Sequence, residues 1–154
     1  VLFAVLEAHD LASAPRTVRP EAARRTFEAL AAAADAGLVR SCHDCSEGGL
    51  AVAAAEMAFA GGLGIDLYLT NAPVDEAVTR DDEILFSESN SRFVVEVEQE
   101  RCEAFEAALA GAAFGAIGRV MAEPRFTVRG REGDLLIDES IADLKEAWQK
   151  PMKW

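Results

Sequence analysis

Apolar and polar positions follow two rhythms along this chain, and each change of rhythm marks an element. Residues 1–6 form an apolar run that predicts a strand or a loose arm, followed by a loop through Pro15. Over 21–36, Ala23, Phe27, Leu30, Ala31 and Ala34 recur at helical spacing, Pro20 suits the first turn, and Gly37 is a stop. Leu38 and Val39 read as the end of a strand. A polar segment, His43-Asp44-Cys45-Ser46-Glu47, then runs into Gly48-Gly49. Beyond it, Leu50, Ala53, Ala54, Met57 and Ala58 mark a buried helix face, and Gly61-Gly62 supplies its end. Residues 64–69 alternate as a strand, and 71–83 predict a loop with a short helix near 74–78.

In the second half, Leu85-Phe86 and Phe93 anchor a wholly polar loop, Ser87-Glu88-Ser89-Asn90-Ser91, and 93–97 alternate as a strand. Residues 98–110 predict a helix with Cys102, Phe105, Ala108 and Leu109 inward. The run 114–120 reads as a strand whose Gly115 and Gly118 imply close backbone packing. Phe126 and Val128 mark another strand, 130–134 a hairpin turn and 135–137 its return. Ser140 and Asp143 make a capping pair for a last helix that turns Ile141, Leu144 and Trp148 inward and ends at Pro151. Hairpins mixed with crossovers predict an α+β fold, a mixed β-sheet of about five or six strands with helices packed on it.

Length and charge narrow the classes. The 154 residues suit a single domain over 1–154, with 1–19 as an N-terminal arm or linker and 20–150 as the core. Val1 is not an initiator Met, so an excised domain is expected. A net charge of −12 without basic clusters argues against a nucleic-acid partner. No apolar run reaches membrane-spanning length, and no leader pattern is visible, so a cytoplasmic location is expected. Lys occurs only at 145, 150 and 153, so the body has no Lys for a P-loop or a Schiff base. A phosphate would be met by backbone amides, Arg, hydroxyls or metal.

The polar segment before Gly48-Gly49 is the first place to look for such chemistry. The first amides of a helix lack internal partners and carry partial positive charge, so a helix start with close backbone access suits a phosphate. Asp44 is a hard oxygen ligand for Mg²⁺, and Ser46 is a hydroxyl donor for a phosphate oxygen. The plain alternative is that Asp44 or Ser46 caps the helix and the glycines turn the chain. Cys42-x-x-Cys45 is a rival signal for a redox or zinc module; its plain reading is packing of small hydrophobes at a strand end. The loop Ser87 to Ser91, held from both sides by apolar residues, is the second place to look; its plain reading is a Ser/Asn turn.

The run from His43 to Leu67 resembles the second-half signature of the phosphoribosylformylglycinamidine synthase family, large ATP-dependent amidating enzymes of purine biosynthesis. Leu85 to Phe93 agrees, as does the tail from Ile117-Gly118-Arg119-Val120 through Pro124-Arg125 to Leu136-Ile137-Asp138, so the resemblance covers roughly residues 37–150. The wider superfamily also holds aminoimidazole ribonucleotide synthase, selenophosphate synthetase, thiamine-monophosphate kinase and a hydrogenase maturation factor. The resemblance implies the C-terminal type of domain, aminoimidazole ribonucleotide synthase C-terminal-domain-like, from the second half of the synthase.

That resemblance also implies roles. The family converts formylglycinamide ribonucleotide, glutamine and ATP to the amidine, ADP, phosphate and glutamate. Asp44 corresponds to a Mg²⁺ ligand and Ser46 to a nucleotide-contacting position, while Gly48 and Gly49 remain the phosphate-binding candidates of the helix start. Glu88, Ser89 and Asn90 match a Glu-Ser-Gln loop that holds the ribonucleotide in the family's first half; Asn90 is one methylene shorter than Gln. Catalytic residues are expected in the first half and not in this chain, which therefore contributes a nucleotide- or substrate-contacting wall. Mg²⁺ and ATP or ADP are the implied cofactors. The implied partners are the N-terminal remainder of the synthase, a glutaminase domain or subunit and, in multi-subunit forms, a small bridging subunit. A scaffold that merely closes a pseudo-site, or the corresponding domain of another superfamily member, is the alternative.

Overall fold

In this computed structural model residues 1–5, 20–75 and 78–152 are described. Seven strands form one sheet in the order β2-β4-β1-β5-β3-β6-β7, rather than the five or six expected. The strands are β1 (Leu2–Val5), β2 (Ser41–Asp44), β3 (Gly64–Tyr68), β4 (Phe93–Glu96), β5 (Phe114–Met121), β6 (Arg125–Arg129) and β7 (Leu135–Ser140). Neighbours are antiparallel except β3 with β6, which run parallel and make the sheet mixed. The helices are α1 (Pro20–Asp35), α2 (Gly49–Gly61), α3 (Asp81–Phe86), α4 (Cys102–Ala108) and α5 (Ile141–Gln149).

The period of two along β1, β4 and β5 sorts their side chains onto two cores. Leu2, Ala4, Val94, Ile65, Leu67 and Ile117 join the core under α2, α3 and α5. Phe3, Val5 and Val95 join Leu30, Ala33, Phe105 and Leu109 of the α1 and α4 side. Phe3 is central there, its ring centroid 5.0 Å from that of Phe105 and 6.2 Å from that of Phe114. Each such fully buried side chain contributes about 1.5–3 kcal/mol.

The opening residues therefore belong to the core. Leu2–Val5 pairs with β4 and β5 and is buried along its whole length, so the boundary drawn at residue 20 separates residues that share a sheet. A strand buried on both faces reads as an unbroken apolar run, which from sequence resembles an arm. His9, Asp10 and Pro15 lie outside the described residues.

Other expectations shift by small amounts. The buried stripe of α1 is Ala23, Thr26, Leu30 and Ala33, so Phe27, Ala31 and Ala34 face outward. β2 starts at Ser41, so His43 and Asp44, expected in a loop, end a strand, while Leu38 and Val39 precede it. Residues 74, 75 and 78 are not helical, and 76 and 77 lie outside the described residues. The acidic run Asp81-Asp82-Glu83, expected as loop, is the first turn of α3, where carboxylates favour the positive end of the helix. The second amphipathic helix opens with a short 3-10 turn at Gln99–Arg101, and Ala108 is exposed. Ser140 caps α5 as expected, its Oγ accepting from the amides of Ala142 and Asp143 at 3.1 and 3.4 Å. Trp148 is half-exposed, its ring 5.8 Å from that of Phe59.

Candidate functional site

β2 is an edge strand, and its last residue, Asp44, stands opposite Phe93 of β4. The chain leaves the sheet there and turns through Cys45, Ser46 and Glu47 into α2. The Cys45 amide donates to the Arg92 carbonyl at 2.8 Å, which fixes the exit. Gly48 is the N-cap residue with φ 76°, a left-handed conformation that favours glycine, and no side chain caps this helix start. Neither Asp44 nor Ser46 is the cap that the plain reading proposed. The Ser46 hydroxyl instead donates to Asp44 Oδ2, and the Gly48 amide donates to Glu88 Oε1 at 3.0 Å.

Glu88 comes from a stretch 40 residues away, and Arg92 is the reason it arrives. The Arg92 guanidinium is buried and donates to the carbonyls of Ser87 at 2.7 Å and Ile84 at 3.1 Å. It thereby closes the end of α3 and folds the polar loop back toward α2. Burial pushes its pKa down, although a guanidinium stays charged. Gly49 completes the junction. With φ 66°, it packs so closely on α3 that a Cβ there would stand 2.5 Å from the Ser87 carbonyl oxygen. A role for Gly49 in phosphate binding is an expectation from the sequence; in the fold its open side is filled by the backbone of 85–87.

The two polar stretches meet in an open cleft of about 400 Å³. Its walls include Asp44, Ser46, Glu47, Glu88, Asn90 and the aromatic pair Phe27 and Phe93. Asp44, Ser46, Glu88 and Asn90, all singled out in the sequence, are thus brought together. Ser89 is not on the wall; its hydroxyl is 2.7 Å from that of Ser87 and is engaged there. Phe27, Phe93 and Arg92 were missed. Phe93 and Arg92 stand in the Leu85 to Phe93 stretch without an assigned role, and Phe27 looks like a core residue by spacing alone.

The cleft is acidic. The hydrogen bond from Ser46, and the neighbouring His43, hold Asp44 below the usual aspartate range, so it is a carboxylate near neutral pH. Its side chain is 61% exposed. Mg²⁺ takes one or two protein carboxylates and completes its shell with phosphate and water oxygens. Asp44 fits that need, because Ser46 occupies only one of its oxygens and His43 Nδ1 stands 3.7 Å from the other. Among the described residues no group of three or more His, Cys, Asp or Glu converges on one metal position. A cation on Asp44 would complete its shell with phosphate, water or other oxygens.

The two cysteines do not carry the shift of an activated thiol. Burial pushes Cys45 up to about 11. Cys42 is also raised, by burial and by Asp44. Redox thiols are lowered instead. Cys45 packs in the larger core, which agrees with its reading as a small hydrophobe, while Cys42 is exposed.

A second polar cluster lies across the sheet. Asp66 of β3 accepts from Thr127 Oγ1 of β6 at 2.7 Å, from Arg119 Nη2 of β5 at 3.1 Å and from the Tyr68 hydroxyl. Burial raises its pKa, but the three donors outweigh burial and leave it lowered.

The fold and cleft define a class: a mixed-sheet α+β domain whose site is assembled from a β2–α2 turn and a polar loop before β4. The comparisons give the family. The model described as AIR synthase related protein, C-terminal domain, matches residues 1–131, and the chain belongs to that family. It is 37% identical over 131 residues to phosphoribosylformylglycinamidine synthase subunit PurL of Deinococcus radiodurans, which covers 85% of this chain and 17% of that protein. Thermotoga maritima PurL complexed with ATP superposes with a TM-score of 0.83 at 24% identity, over 92% of this chain and 25% of that one. The PurLQS structure from Thermotoga maritima superposes with a TM-score of 0.79 at 26% identity, over 91% of this chain and 24% of that one. This chain therefore spans about a sixth of the length of its curated relative and a quarter of those structures. Among the described residues no helix is long and apolar enough to cross a membrane.

Proposed function

We propose that this chain is the C-terminal domain of the second half of a phosphoribosylformylglycinamidine synthase. The parent would use ATP to activate the formyl amide oxygen of formylglycinamide ribonucleotide, after which ammonia from glutamine displaces phosphate to give the amidine. Similarity to PurL over most of the chain supports this parentage. Within it, the domain supplies a nucleotide-contacting wall. Asp44 would share a Mg²⁺ with the phosphates, and Ser46 and the Gly48 amide would turn to their oxygens. Glu88 and Asn90 would contact substrate or nucleotide from the facing loop, with Ser89 holding that loop to Ser87. The observation that carries the reading is the meeting of Asp44, Ser46, Glu88 and Asn90 in one cleft beside a glycine-started helix.

The chemical step falls outside this domain, in the first half of the synthase, where the family's catalytic residues are expected. Its partners would be the rest of the synthase, a glutaminase and, in a multi-subunit parent, a bridging subunit, all in the cytoplasm. The test is an amidine assay with ATP, Mg²⁺, glutamine or ammonia and formylglycinamide ribonucleotide. The full-length protein should form the amidine and the 154-residue chain alone should form none. Turnover by the chain alone, or none by the full-length protein, contradicts the reading.

One observation favours a second reading, a scaffold that only closes a pseudo-site. Glu88 already occupies the Gly48 amide, and Gly49 is filled by backbone. In a scaffold those contacts are permanent; in a nucleotide site the Glu88 carboxylate must give way to phosphate.

A further inference from the structure

Phe27 stands one residue off the buried stripe of α1, next to Thr26, and is 48% exposed. The ring is not simply left in solvent. It meets Phe93 edge to face, with centroids 5.7 Å apart and planes at 79°. Both rings line the same cleft as Asp44, Ser46, Glu88 and Asn90. Phe93 is the register partner of Asp44 across β2 and β4, so the aromatic wall begins one strand away from the carboxylate.

The cleft therefore has two chemically different ends. A bare phosphate or a hydrated cation would use only the acidic, hydroxyl-bearing end. The aromatic end offers the half-exposed Phe27 ring, held against Phe93 in an edge-to-face pair, on which a planar heterocycle can stack. A nucleotide carries both groups on one molecule. We propose that Phe27 is the base-side wall of this site and stacks on the base of a nucleotide whose phosphates lie toward Asp44. This deepens the nucleotide reading above and rests on it. It also gives a reason for Phe27 to be turned out of the core: Thr26 takes the inward position, and the larger apolar ring faces the cleft.

The test separates base from phosphate in the full-length protein. Affinities of Mg-ADP and of Mg-tripolyphosphate, which lacks a base, are measured by calorimetry for the wild type, Phe27→Ala and Phe27→Trp. Phe27→Ala should weaken Mg-ADP about tenfold and leave Mg-tripolyphosphate within about twofold, the size expected for one stacked base. Phe27→Trp should keep Mg-ADP binding, and the new indole fluorescence should change on adding Mg-ADP but not Mg-tripolyphosphate. Phe27 is half-exposed, so its truncation spares the core, and retained Mg-tripolyphosphate binding reports an intact fold. Equal loss of both ligands, or no loss of Mg-ADP, overturns the stacking proposal while the nucleotide reading stands. A wild type that binds neither ligand overturns both.

Discussion

Asp44 and Asp66 are two carboxylates that end up in opposite situations. Asp66 lies between three strands, its side chain only 12% exposed, and takes donors from Tyr68, Arg119 and Thr127. Asp44 sits at the end of an edge strand, 61% exposed, with one side-chain donor, Ser46. Both are held ionised, but by different means. For Asp66 the protein supplies the replacement for water, so the charge is spent within the fold and stitches β5, β3 and β6 together. For Asp44 most of the solvation is left to the surroundings; Ser46 takes one oxygen and the other, with His43 Nδ1 3.7 Å away, leaves room for an external cation. A lowered pKa alone therefore does not mark a site; the direction in which the remaining acceptor capacity faces does.

The largest effect expected from this contrast is at Asp66. Asp66→Ala removes the acceptor shared by Thr127, Tyr68 and Arg119, and should lower unfolding free energy by about 2 to 3 kcal/mol, read as the urea midpoint at constant slope. Arg119 is 59% exposed and can return to water, which keeps the loss at the low end for a buried charge network. A loss under about 1 kcal/mol would make Asp66 no more structural than Asp44.

Next is the junction that holds the cleft wall. Gly49→Ala adds a Cβ at φ 66° against the Ser87 carbonyl oxygen, and should destabilise by about 2 kcal/mol. Gly61→Ala, where nothing lies within 4 Å, is the control and should change stability by less than about 0.5 kcal/mol. Equal effects would mean that α2 does not lean on α3 as described.

The acid limb sharpens the contrast further. Asp66 has a folded pKa below its unfolded value, so its contribution is present above the unfolded value, near pH 3.9, and is lost as pH falls through the lower folded value. The stability gap between wild type and Asp66→Asn should therefore be constant near neutrality, about 1 kcal/mol or more, and shrink below about pH 4. A gap that widens in acid would reverse the sign of the argument. Smallest of all, Asp44→Asn without ligand should stay within about 0.5 kcal/mol of wild type, since an exposed carboxylate contributes little to folding.

Much of this was legible in the residue pattern. α2 and its glycine ends, the hairpin through Gly130 and Gly133, and the polar loop before β4 follow from local chemistry, and the structure has them in place. The meeting of Asp44 with Glu88 was not legible by spacing, because it depends on Arg92 folding the loop back onto two backbone carbonyls. β1 was ambiguous because a strand buried on both faces loses the alternation that identifies strands. The face of α1 was misjudged by one residue, since Thr26 is buried and Phe27 is not. The start of α3 was hidden in an acidic run that also resembles a solvated loop, although three carboxylates in a row suit a first turn.

The most direct measurement compares nucleotide binding by the full-length protein and its Asp44→Asn variant. Asparagine keeps the shape but removes the charge that Mg²⁺ requires. Nucleotide is extracted and quantified from both, and unfolding is followed with and without Mg-ADP. If Asp44 shares the Mg²⁺ of a bound nucleotide, wild type should carry it and gain about 2.7 kcal/mol at a hundredfold excess over its Kd, because only the folded state binds. The variant should lose most of both. Equal nucleotide content and an equal Mg-ADP shift in the two proteins would contradict the claim and leave the cleft as a closed scaffold.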